Sequence, residues 1–130
     1  MIYRKMKLLN LLLTICLVFN QDISDLDLLR KNAENYYKAR DYSNSIILFE
    51  DLLAKQEIAL HNYDPQIAET LNKLGEMYSL SGMPDIADYY YDQAILILEY
   101  SLKLEQEKSE ILLNDLLKTY RLKNDSIKIN

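Results

Sequence analysis

The sequence predicts an all-α protein built from helical hairpins, and three observations carry that reading. The apolar residues recur at spacings of three and four, which places them on one side of a helix. Only two glycines and two prolines occur in 130 residues, and each has a place at a helix junction or crossing. The chain also repeats itself: Leu29, Ala33, Tyr36, Ser45, Phe49 and Leu52 are followed 42 positions later by Leu71, Gly75, Tyr78, Ala87, Tyr91 and Ala94. With 49% hydrophobic and 27% charged residues, the composition suits one folded body.

The N-terminus reads as an export signal over residues 1–20. Arg4, Lys5 and Lys7 precede an apolar run from Leu8 to Phe19, interrupted by Asn10 and Thr14. About twelve residues fall short of the roughly 20 that a membrane-spanning helix needs, and match the apolar core of a secretory signal. Met6-Lys7-Leu8-Leu9 resembles a second translation start, and a cut near Gln21 follows Val18 and Asn20. The expected location is therefore outside the cytoplasm, periplasmic or secreted, with membrane attachment through this segment as the alternative. Cys16, the only cysteine, reads as one more apolar residue of that segment. Lipid attachment there would want a small residue at Ile15.

Three of the fifteen basic residues, Arg4, Lys5 and Lys7, lie before position 20, whereas all twenty acidic residues follow it. Residues 21–130 thus carry twelve bases against twenty acids, a balance of −8. Binding phosphate needs a basic face, so this acidic balance argues against nucleic acid as a partner.

The body begins at Ser24, with Asp27 three residues on as an approximate capping box. A first helix ends near Arg40, and a second starts at Ser43 and runs to His61. The first repeat thus spans residues 24–62. Asp64 reads as an N-cap and Pro65 as the first residue of the third helix, and this helix ends at Ser81. Gly82 supplies the left-handed residue there, Gly75 marks the helix crossing, and Pro84 starts the fourth helix, which completes a second repeat over 63–104. A further 42 positions lead to Leu113, Asn114, Leu116 and Tyr120, a final capping helix over 109–124 with Ser109 as N-cap and residues 125–130 as a tail. A single long coiled coil would share the apolar spacing, but not Gly82-Met83-Pro84 and Asp64-Pro65 at matching junctions.

Leu71, Leu74, Gly75, Tyr78, Ala87 and Tyr91 resemble the signature of the tetratricopeptide repeat, in which Trp, Leu, Gly and Tyr precede an Ala and a Phe. Leu71 stands for the Trp and Tyr91 for the Phe. The 42-residue period is similar to the long-helix variety found in kinesin light chains and many bacterial proteins. This resemblance implies a right-handed α-α superhelix of about two and a half hairpins, whose inner face is lined by the first helix of each repeat and binds a protein or peptide. Carried onto this sequence, the inner face holds Arg30, Asn72 and Asn114, then Glu34, Glu76 and Lys118, then Tyr37, Ser79 and Arg121, each set spaced by 42. An Asn amide offers both a donor and an acceptor, so Asn72 and Asn114 suit either the backbone of an extended peptide or the bonding of one helix to the next. Some members of the family clamp a partner's C-terminal carboxylate with Lys, Asn and Arg. Here an acid, Glu34, takes the place of a clamp Asn, and Lys73 and Asp115 occupy other clamp positions.

Nothing in the sequence asks for a cofactor, a metal or catalysis. His61 is the only histidine and reads as a helix-terminal residue rather than a base. Asp85, Asp88 and Asp92 read as a solvated acidic face. Of Tyr89, Tyr90 and Tyr91, the last is expected in the core, Tyr90 against the next unit and Tyr89 at the surface. The functional expectation is a non-catalytic adaptor. The alternative is a structural or truncated module of a larger signalling or sensor assembly, stable by self-association, since two and a half repeats fall short of the three that such arrays need. A homodimer is the simplest form of that alternative.

Overall fold

A computed structural model of the chain describes residues 2–104 and 109–127. Its described residues form five α-helices and no strand: α1 (Ile2–Lys38), α2 (Tyr42–Ala59), α3 (Pro65–Leu80), α4 (Pro84–Leu104) and α5 (Ser109–Ile127). Each helix packs on the next in the chain, and α3 also touches α5. This arrangement is compatible with a helical repeat.

The junctions follow from their residues. The Asp64 carboxylate accepts from the Gln66 N–H and Pro65 opens α3, so the cap and the first helical residue stand where the sequence puts them. Gly82 has φ +77° and Arg40 has φ +61°, 42 positions apart. Both left-handed residues sit inside the same closing turn. The Asp41 N–H bonds to the Tyr36 carbonyl at 3.0 Å, and the Met83 N–H bonds to the Tyr78 carbonyl at 2.9 Å. This six-to-one bond returns the chain into the next helix. Arginine takes that conformation at a cost of about 1–2 kcal/mol, which glycine avoids. Arg40→Gly is therefore expected to raise stability by about 1 kcal/mol after the entropy that glycine adds to the unfolded chain, as read from a thermal or urea melt.

Within each hairpin the backbones approach through small residues. In the second, the Tyr91 ring lies directly on Gly75. A Cβ added there would stand 2.5 Å from the Tyr91 Cε1. In the first, Ala33 takes the glycine's place, and the buried Ser45 hydroxyl donates to the Ala33 carbonyl at 2.8 Å. Two apolar cores result. One gathers Ala33, Phe49 and Leu52 with Leu74 and Met77, and the other joins Ile67, Leu71, Ala94 and Leu98 to Leu112 and Leu116. Between them Thr70 donates to the buried Gln56 at 2.7 Å, tying α3 to α2.

Several boundaries depart from the sequence reading. Ser24 caps nothing, because α1 runs unbroken through it; no Gly or Pro lies in residues 2–38 to stop the helix. The second helix starts at Tyr42 with Asp41 as its cap, and His61 stands beyond its end, in a turn where its Nδ1 accepts from the Tyr63 N–H. At the far end α5 continues to Ile127, three residues past the expected stop. Asp88 and Asp92 are not simply solvated, since Lys123 of α5 pairs with both. Tyr90 turns back rather than forward, stacking on Tyr78 with ring centroids 5.4 Å apart and directing its hydroxyl to Glu50. Tyr91 is buried and Tyr89 exposed.

The first half of α1 stands away from this body. Every residue from 4 to 18 is exposed, including the apolar run from Leu8 to Val18. Among the described residues no helix is long and apolar enough to cross a membrane.

Candidate functional site

Helices α1, α3 and α5 bring together most of the residues that the 42-residue spacing selects, and the contacts sort them into three groups. The first is neutralised in place. The Arg30 guanidinium reaches across to α3, contacting Glu69 at 3.2 Å and donating to Gln66 at 3.1 Å. Lys73 pairs with Glu76 at 3.6 Å and lies over the Tyr37 ring, 4.4 Å from its centre. The Tyr37 hydroxyl donates to the other Glu76 oxygen at 2.6 Å. Glu34 shares a narrow cleft with Arg30, Glu69 and Lys73. The two cations of this wall are thus engaged by neighbouring acids.

The second group lines a groove of about 300 Å³ between α3 and α5, with Leu98 of α4 also in its wall. Asn72, Lys73 and Glu76 face Asp115, Lys118 and Leu122 across it. Asn72 is the most constrained of these. Its Nδ2 donates to the Thr119 hydroxyl at 2.7 Å, and that hydroxyl donates in turn to the Asp115 carbonyl. Among the described residues its Oδ1 is buried without a partner, a state that costs about 1–3 kcal/mol in general.

The third group stands outside the groove. Asn114, exposed on α5, does not meet Asn72, whose partner on that helix is five residues further along. Five residues are about 7.5 Å of helix, so the two amides are not level. Ser79 is half-buried and Arg121 exposed, and neither lines the groove. Sequence spacing did not select Thr119 or Leu122, and it reached Asp115 only as a clamp position, 42 residues after Lys73. A 42-residue offset finds equivalent positions within repeats, whereas these residues are brought in by the slide of α5 along α3.

A second, more open cleft of about 570 Å³ lies between α2 and α4 on the other side of α3, with Ile67 and Leu71 beneath it and Tyr89 and Tyr90 along its wall. It too escaped the sequence reading, apart from Tyr89 as a surface aromatic. Among the described residues no group of His, Cys, Asp or Glu is placed to hold a metal.

The phenols record how closely these faces are built. Burial first, and then the bond to Glu76, push the Tyr37 hydroxyl up to about 12. Tyr78, which donates to Glu50 at 2.8 Å, is shifted in the same direction by burial and then by that carboxylate. A raised phenol stabilises the fold below its unfolded value of 10.0 and loses that contribution as pH climbs through the folded value. An absorbance titration at alkaline pH should therefore show a late phenolate component near pH 12, and Tyr37→Phe should reduce it. Stability should decline over the same window, from pH 10 upward.

No protein-family model and no curated protein matches the chain, so its functional reading rests on this geometry and on the sequence.

Proposed function

We propose that the protein is a non-catalytic adaptor, a short tetratricopeptide-type solenoid with a right-handed superhelical turn, whose inner face holds an extended peptide segment of a protein partner. The observation that carries this reading is the groove between α3 and α5, where the Asn72 amide, Asp115 and Lys118 converge beside Leu98 and Leu122. Ligand sites commonly combine an apolar wall with a few converging polar groups. With Arg30 and Lys73 already paired, a ligand held mainly by charge fits this wall poorly. A peptide backbone fits better, because its N–H and C=O groups match an amide, a carboxylate and an ammonium without demanding a particular sequence.

The reading includes export. Residues 1–20 combine a basic start with an apolar run that is exposed from Leu8 to Val18, which suits a signal removed near Gln21. Anchoring through the same segment is the other form of that proposal. Intact mass of the protein recovered from its host distinguishes removal from retention.

Peptide display on the purified full chain tests the site. Selected peptides should bind the parent and lose about tenfold or more in affinity with Lys118→Glu, an exposed position whose change spares the core. Equal affinity for both proteins would remove the groove as the site.

A further inference from the structure

We infer that the outward face of α5 is a pairing surface, and that its occupant is α5 of a second copy of this chain. Leu113, Leu117 and Tyr120 correspond, 42 positions on, to Leu71, Gly75 and Tyr78, the side of α3 that α4 covers. In α3 that side is closed: Leu71 is 5% exposed. In α5 the same side is open, with Leu113 48%, Leu117 47%, Tyr120 41% and Ile127 57% exposed. The surface therefore continues, by internal repetition, an interface that the protein already makes once.

Two features say what covers it. At the position of Gly75, which receives the Tyr91 ring, α5 carries Leu117. A helix crossing as closely as α4 does would collide there. The open stripe instead runs Leu113, Leu117, Tyr120, Asn124, Ile127, at steps of four, three, four and three, the seam of two helices lying side by side with one polar position. The opposite end of the molecule does not offer a complementary stripe. Asn32 and Asn35, both exposed, occupy the positions of the buried Leu74 and Met77, and so separate Leu28 from Tyr36 and cap that end with polar groups. Between Leu28 and Tyr36 the α1 end of the helical body is therefore polar while the α5 end is apolar, so stacking of one body head-to-tail on the next is disfavoured and the α5 stripe pairs with itself about a two-fold axis, which closes the assembly at two; the exposed apolar run from Leu8 to Val18 of α1 is the competing surface. This inference is independent of what the inner groove binds, since Asp115 and Lys118 lie on a different side of α5 from the stripe.

The test uses the full chain. Sedimentation equilibrium should find a dimer at micromolar concentrations, and the double substitution Leu113→Glu with Leu117→Glu should raise the dissociation constant at least about 100-fold while helicity is retained, both positions being exposed. In a Cys16→Ser background, a cysteine at Leu117 or at Tyr120 should be trapped as an intermolecular disulfide, whereas one at Asp115, on the groove side, should not. A monomeric parent, a dimer that survives the double substitution, or trapping at Asp115 equal to that at the stripe would each overturn the inference. The second of these outcomes would transfer the contact to another surface, the exposed apolar run of α1 first among them.

Discussion

Gly75→Leu is expected to lower the stability of the protein by about 3 kcal/mol, at the upper end of what inserting side-chain atoms into a packed core costs. The glycine is not needed for backbone freedom, since it sits inside α3 and there costs about 1 kcal/mol of helix propensity relative to alanine. It is needed for space. The Cβ alone would meet three carbons of the Tyr91 ring at 2.5 to 2.9 Å. That ring, 1% exposed, cannot swing away without opening the contact between α3 and α4. The leucine is the residue that α5 carries at the equivalent place, Leu117, which is 47% exposed. The same side chain is therefore expected to be harmful in one repeat and tolerated in the other. A urea melt measures the loss, and Tyr91→Ala in the Gly75→Leu background should recover part of it, a coupling that independent sites would not show.

The second large effect concerns one position read three times. Asn32, Leu74 and Leu116 share a place in the repeat; the first is exposed, the second 0% and the third 9% exposed. Leu74 lies where α3 meets α1 and α2, among Ala33, Phe49, Leu52 and Met77. Truncation to alanine there should cost about 4 kcal/mol, the lost transfer energy plus a cavity that rigid neighbours cannot fill. Leu116→Ala, at an end with neighbours on fewer sides, should cost about 2 kcal/mol, and Asn32→Ala within about 0.5 kcal/mol of nothing. In an array this short, losses at Leu74 should destabilise both cores together, because α3 is shared by the two. Equal effects at Leu74 and Leu116 would contradict the view that the stack has a covered middle and an open end.

These examples also mark what the sequence could and could not disclose. The Asp64–Pro65 start, the left-handed Gly82 and the close approach at Gly75 were legible because each is a local demand that few residue types satisfy. Arg40 hid the same left-handed turn that Gly82 reveals, because arginine does not advertise it. The run of α1 through Ser24 was missed because a cap residue is a signal only where the preceding residues disfavour helix, and here none does. Contacts between distant segments were hardest to read. Lys123 with Asp88 and Asp92, or Asn72 with Thr119, depend on how far one helix slides along another, which the internal period does not set. For the same reason the groove kept Asn72, Glu76 and Lys118 from the candidate set and left Asn114 and Arg121 outside.

The proposed function depends most directly on where a bound peptide lies. The measurement that decides it is photo-crosslinking of a selected peptide to the full chain, with the reactive group placed at Lys118 in the groove between α3 and α5, and separately at Tyr89 beside the larger cleft between α2 and α4. The adaptor reading predicts an adduct at Lys118 that unlabelled peptide competes away, and little or none at Tyr89. An adduct confined to Tyr89 would contradict it, placing recognition on the opposite side of α3.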